Sequence, residues 1–158
     1  MMKFFSVLVI TLLLACNNNP DAGQAKTADN KTIEKNDSKE SVGEKSHWEG
    51  SFTNGMKETT ISFDVSADGT RLENLTFSGY WYCDGSLTRD ILGPEKSFTI
   101  QNNKVDGSIS EPENGGATAT RYELHARFDG SKASGSFRMN INALACDTYV
   151  LQWTAAKK

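Results

Sequence analysis

An all-β fold, an antiparallel β-sandwich or barrel of about eight or nine strands, is predicted for residues 47–158. Three observations predict it. Aromatic and β-branched residues alternate with polar ones at period two, turn signals recur about every ten residues, and no stretch shows a convincing helical period. Side chains on a strand point alternately to opposite faces, so each apolar row needs a facing layer to bury it.

The domain opens with His47-Trp48-Glu49-Gly50-Ser51-Phe52, and Asn54-Gly55 follows as a hairpin signal because both residues tolerate positive φ. Thr59 to Val65 then alternates, with Ile61, Phe63 and Val65 on one face, and Asp68-Gly69 marks the next turn. The longest strand carries Leu75, Phe77, Gly79, Trp81 and Cys83 on one face and Thr76, Ser78, Tyr80 and Tyr82 on the other. Residues 84–96, through Gly93-Pro94, read as irregular. Phe98 and Ile100 lead to Asn102-Asn103 and return through Val105 and Ile109 as a tight hairpin.

Glu111 to Thr118 contains Pro112, Gly115 and Gly116 and is expected to form a long mobile loop. After it comes a strand with Tyr122, Leu124, Ala126 and Phe128 inward, and Arg121, Glu123, His125 and Arg127 in solvent. Asp129-Gly130 turns the chain into a row of Ala133, Gly135, Phe137, Met139 and Ile141. A last strand is expected from Cys146 to Trp153. Both its faces are partly apolar, so the pattern does not orient it.

Upstream, Lys3 precedes an apolar run from Phe4 to Ala15 broken only by Ser6 and Thr11. This is the grammar of an export signal, and the run is shorter than the ~20 residues a membrane-spanning helix needs. The ending Leu13-Leu14-Ala15-Cys16 resembles the lipobox of bacterial lipoproteins, with Leu14 bulkier than the usual occupant. The resemblance implies removal of a signal peptide, residues 1–15, and a diacylglycerol thioether on Cys16, often with a further acyl chain such as palmitate. An ordinary secretory signal with an incidental cysteine is the alternative. Each buried methylene adds about 0.8 kcal/mol, so two or three chains anchor a protein to the membrane effectively for good. Asn17 in place of Asp leans toward the outer membrane of a Gram-negative cell envelope.

Residues 16–46 are expected to be a lipidated, disordered tether. Asn, Asp, Lys, Glu, Ala, Ser and Thr dominate there, and too little apolar surface is available to offset the entropy of ordering. Its charges nearly cancel, and flexible-linker scaling gives a reach on the order of 30 Å. A fraying helix is the alternative. The whole chain carries a formal charge of −3, has a pI near 5.4 and lacks a basic block, which argues against a nucleic-acid partner.

There are three cysteines. If acylation occupies Cys16, then Cys83 and Cys146 remain as a pair in an oxidising compartment, where a disulfide is expected rather than two free, buried thiols. The order Ile61-Ser62-Phe63-Asp64-Val65, Cys83-Asp84-Gly85, Phe128 to Phe137, then Cys146 and Trp153-Thr154-Ala155 resembles a small all-β domain of secreted bacterial proteins. That resemblance covers residues 48–156 and implies no activity. Tyr82-Cys83-Asp84, Thr120-Arg121-Tyr122 and Cys146 bear a weaker resemblance to the lipoprotein inhibitors of C-type lysozyme. That family's Ser-Gly-Ala-Arg-Tyr loop is replaced here by Ala119-Thr120-Arg121.

No phosphate loop, His-Glu-x-x-His or Cys-x-x-Cys occurs, and no catalytic constellation, metal site or cofactor is expected. His47 lies beside the tether, and His125 reads as a solvated residue between Glu123 and Arg127. Asp64, Asp68 and Glu73 offer oxygens but match no calcium loop, and Glu111 and Glu113 lack the rigid separation of a glycosidase pair. Tyr80 and Tyr82 are the candidate binding surface, because exposed aromatics on a sheet stack on sugars or anchor proteins. Cross-strand pairing, or cover from residues 84–96, is the structural alternative.

The sequence therefore reads as a lipid-anchored envelope protein with a binding or structural module and a protein or glycan partner. A lysozyme-inhibitor-like or small-ligand-carrying barrel is the alternative, and an envelope hydrolase a minor one.

Overall fold

The computed structural model describes residues 43–158. The expected signal peptide, Cys16 and the expected tether up to residue 42 lie outside the described residues. Ten antiparallel strands follow: β1 Ser46–Phe52, β2 Thr60–Val65, β3 Arg71–Cys83, β4 Ser86–Leu92, β5 Phe98–Thr99, β6 Lys104–Glu111, β7 Thr120–Asp129, β8 Lys132–Ile141, β9 Cys146–Asp147 and β10 Leu151–Lys157. No α-helix occurs among the described residues; a single 3-10 turn spans Asn142–Leu144.

The strands close into a barrel. β10, β1, β2, β3, β9 and β8 form a ring of six, because β10 pairs with both β1 and β8. β7 and β6 extend outward from β8, while β4 and β5 pair with β3. All pairings are antiparallel, so the barrel has two distinct ends. β1 starts at one of them, together with the β2–β3 and β7–β8 turns. This is the proximal end. Residues 53–59, the β3–β4 turn and the β9–β10 connection lie at the distal end.

Inside, the alternating rows are buried as expected. One aromatic group joins Trp48, Phe63, Phe128 and Trp153, with Phe63 and Trp153 centroids 5.7 Å apart at 70°. A second joins Phe52, Phe77 and Phe137, the last two stacked at 5.7 Å. Tilted and edge-on contacts suit the ring quadrupoles, and these rings fill the interior. Gly79 belongs to the inward row because Thr59 packs over it. A Cβ there would meet Thr59 Oγ1 at 2.9 Å.

Four expectations are corrected. Residues 86–92 are not irregular but form β4, joined to β3 by Asp84-Gly85 with φ of 49° and 72°. Two consecutive positive φ values suit the twist of a two-residue hairpin, and Asp-Gly tolerates them. The last strand is split, and Tyr149, at φ 54°, breaks the alternation between β9 and β10. As a result Leu151, Trp153 and Ala155 face the core while Tyr149 is exposed. Asn54-Gly55 takes no positive φ and sits inside a longer connection between β1 and β2. Last, Asn102-Asn103 does turn tightly, at φ 51° and 58°, but the two arms part: β5 pairs with β3 and β6 with β7.

A bulge also sets which residues of β3 reach the core. The β2–β3 register shifts between Ser62 and Asp64, and Asn74 takes φ 53°. The extra residue lets Leu72 and Leu75, three apart, both point inward.

Candidate functional site

The distal end gathers the exposed apolar side chains. Eight large hydrophobic residues are exposed among the described residues: Met56, Tyr80, Tyr82, Leu87, Ile91, Leu144, Tyr149 and Val150. All lie in the distal β3–β4 hairpin, the β1–β2 loop, the 3-10 turn or the β9–β10 connection. Tyr80 and Tyr82 are therefore on the outer face, as the alternation implied. Tyr82 is 50% exposed. The stretch expected as possible cover, residues 84–96, instead extends the same surface, because Arg89 pairs with Tyr80 and Leu87 with Tyr82.

Two neighbouring depressions mark this rim. One, of 280 Å³, lies between Met56, Lys57, Glu58, Tyr80 and Leu87. The other, of 210 Å³, is bounded by Asn54, Met56, Tyr80, Tyr82, Tyr149 and Val150. They share Met56 and Tyr80, so they form one grooved patch.

Polar contacts fix its walls. Asn54 uses its side chain rather than its backbone: Nδ2 donates to Val150 O at 3.0 Å, and Oδ1 accepts from Gln152 N–H at 2.6 Å. This ties the β1–β2 loop to the β9–β10 connection. Arg138 grips Asp147 in a fork, Nε to Oδ1 at 3.1 Å and Nη2 to Oδ2 at 2.6 Å, and Asp147 Oδ1 also accepts the Tyr149 N–H at 2.7 Å. Burial pushes the Asp147 carboxyl up, but the Arg138 fork and the Tyr149 amide outweigh it and hold it below the usual carboxylate range. Tyr149 is thus held in its left-handed conformation by a charged anchor. The Cys83–Cys146 disulfide, spanning 63 residues of sequence, clamps β9 to the end of β3 beside the rim.

Behind the rim, Trp81 Nε1 donates to Asp90 Oδ2 at 2.6 Å, and Thr88 Oγ1 donates to the same oxygen at 3.2 Å. The inner face of β4 is satisfied in this way, which leaves Leu87, Arg89 and Ile91 outward. Sequence reasoning missed Leu87, Ile91, Met56 and Tyr149. The Asp84-Gly85 hairpin signal would have found the first two. Nothing local marks Tyr149.

Several other titratable residues are paired away from the rim. At the proximal end Asp64 receives His47 Nδ1 at 2.8 Å, Asn74 Nδ2 at 2.7 Å and Lys45 Nζ at 3.3 Å, while Lys45 also meets Glu73 at 3.0 Å. The hydrogen bond to Asp64 raises the His47 pKa, while burial of Asp64 is outweighed by its three donors and its own value falls. Asp68 accepts from Ser66 Oγ and from Thr70 N–H, which lowers it to about 2. His125 pairs across the strands with Asp106 at 3.0 Å and stays exposed. Glu111 accepts the Glu95 N–H at 2.7 Å, and Glu113 meets Lys96 at 2.6 Å.

A larger depression, of 710 Å³, lies on the outer face of β1, β10 and β8 at the proximal half. Its floor is Gly50, Ser51, Ser134, Thr154 and Ala156, rimmed by both signs of charge. The exposed large apolar side chains gather at the other end, and we prefer the smaller aromatic groove as the site. The chain matches no family model, no curated protein and no solved structure.

Proposed function

We propose that this chain is a lipid-anchored protein of the cell envelope, held by acyl chains on Cys16 in the outer membrane of a Gram-negative bacterium, and that its barrel is a binding module for a partner protein. One observation carries the reading of the barrel: every exposed large apolar side chain among the described residues is gathered at the distal end. Concentrated exposed apolar surface marks interaction sites, and tyrosines are favoured there. A filled aromatic interior further favours an external site over a ligand held inside the barrel. Binding rather than hydrolysis is favoured because the two carboxylates of the patch lie in different depressions, Glu58 in one and Asp147, paired with Arg138, in the other, and both histidines lie outside the rim.

Two experiments test this. Globomycin, or Cys16→Ser, should block cleavage after Ala15 and leave a larger precursor in the inner membrane in place of the mature outer-membrane form; normal processing under either treatment would refute the anchor. A photo-crosslinking amino acid at Tyr82 should give a discrete adduct in intact cells, and the same probe at Lys132, in the proximal depression, should not. Equal adducts from both ends would refute the rim as the binding surface.

A further inference from the structure

We infer that the free edge of β4 accepts an added strand from the partner, an extended segment in which an acidic residue is flanked two positions away on each side by apolar ones. This rests on the rim being a partner-binding surface and names the form of the partner. β4 pairs only with β3. Cys83 and Ser86 flank the two-residue turn and form a hydrogen-bonded pair, so alternation along the antiparallel ladder leaves the amides and carbonyls of Leu87, Arg89 and Ile91 directed at the open edge. The described residues offer them no backbone partner. A long open edge of this kind is a template for strand addition.

The side chains of the same three residues specify the occupant. Leu87 and Ile91 are exposed at 46% and 69%, and Arg89 between them has no carboxylate partner among the described residues. Residues directly opposite on neighbouring strands point to the same face, so the incoming strand would place apolar, acidic and apolar side chains against Leu87, Arg89 and Ile91. A second copy of this chain fits poorly. The antiparallel self-pairing that sets Leu87 against Ile91 also sets Arg89 against Arg89, and like charges directly opposite are destabilising. Arg89 therefore guards the edge against its own kind while selecting a complementary strand.

The test uses the full-length chain carrying Cys16→Ser and an acetylated, amidated probe peptide, Thr-Val-Thr-Glu-Thr-Val-Thr, with a counterpart bearing Lys in place of Glu. The Glu peptide should protect the Leu87, Arg89 and Ile91 amides from hydrogen exchange and bind about tenfold more tightly than the Lys peptide. Arg89→Glu should reverse that order. Ile91→Pro removes an edge donor without touching the β3–β4 ladder and should abolish the protection, whereas Ile91→Ala should only weaken binding. Equal affinity for both peptides, or protection that is absent from β4, overturns the inference. So does concentration-dependent dimerisation through β4, or Arg89-dependent binding to phosphatidylethanolamine and phosphatidylglycerol vesicles, since these assign the edge to a second copy or to a lipid surface. A Tyr82 crosslink that persists in Ile91→Pro while both peptides fail leaves the rim as a partner surface and overturns strand addition alone.

Discussion

Reduction of the Cys83–Cys146 bond is the perturbation with the largest expected effect on stability. The bridge spans 63 residues of sequence. A loop of that size removes enough freedom from the unfolded chain to contribute about 4 kcal/mol at 25 °C in the chain-entropy picture. Small domains have a net stability of only about 5–15 kcal/mol, so the loss would be a large fraction of the total and would lower the midpoint by roughly 15 °C or more. Urea unfolding of oxidised and reduced protein measures it, with the reduced wild type as the cleaner comparison because the buried Cys146 sulfur stays in place. Cys83→Ala with Cys146→Ala should cost somewhat more, through the cavity left at Cys146. Because the bridge acts on the unfolded ensemble, reduction should also raise the urea slope as that ensemble expands. A loss below about 1 kcal/mol with an unchanged slope would refute the reasoning.

Other substitutions separate core, electrostatics and rim. Gly79→Ala drives a methyl into Thr59 and should cost about 1–3 kcal/mol by thermal or urea unfolding; a neutral result would mean Thr59 swings away freely. Asp64→Asn should return the His47 pKa toward 6.5 in an NMR titration, since Asp64 supplies the main raising contact. The contribution of a raised histidine is complete below its unfolded value and disappears as pH climbs through the folded one. That of the depressed Asp64 is complete above its unfolded value and disappears as pH falls through the folded one. The pair therefore contributes most in the window between the two, and Asp64→Asn should flatten the stability profile at both edges. Tyr80→Ala with Tyr82→Ala should change stability by under about 1 kcal/mol while removing the crosslinked adduct; a large loss would place these rings in the core.

What the sequence disclosed, and what it hid, follows from how local each feature is. The rows Tyr122-Leu124-Ala126 and Ala133-Phe137-Met139 were legible because burial imposes period two on neighbouring residues. β4 is hard to read as a strand because Leu87 and Ile91 lie on the solvent face, while the inward face carries Thr88 and Asp90 before its one apolar member, Leu92. That inverts the usual pattern, and only the Asp84-Gly85 turn announced it. Ring closure was hidden for another reason. It depends on β9, two residues long, which reaches β3 through Tyr82 and β8 through Asn140 and Ile141. No periodicity can show in two residues. The rim was half visible: Tyr80 and Tyr82 follow from the alternation of β3, whereas Tyr149 reaches the same groove only because a left-handed residue interrupts the last strand.

The two ends of the barrel also differ in what they are built to resist. At the proximal end, Lys45, His47 and Asn74 converge on Asp64, so the first described residues are held to β2 and β3 by exposed, salt-screened contacts that contribute little each. At the distal end, the disulfide, the Arg138–Asp147 fork and the Asn54 bridge surround a patch of exposed apolar side chains that would otherwise gain by collapsing inward or by rearranging. A core satellite needs no such bracing, since burial alone would hold it. Strong, directional bonds placed around side chains left in water make sense where the surface must keep its shape before anything covers it, and pre-ordering a patch in this way lowers the entropy lost when a partner binds. On that reasoning Asn54→Ala, which cuts the bridge between the two groove walls without removing any aromatic ring, should weaken partner capture by speeding dissociation. Its effect on capture should exceed its effect on unfolding.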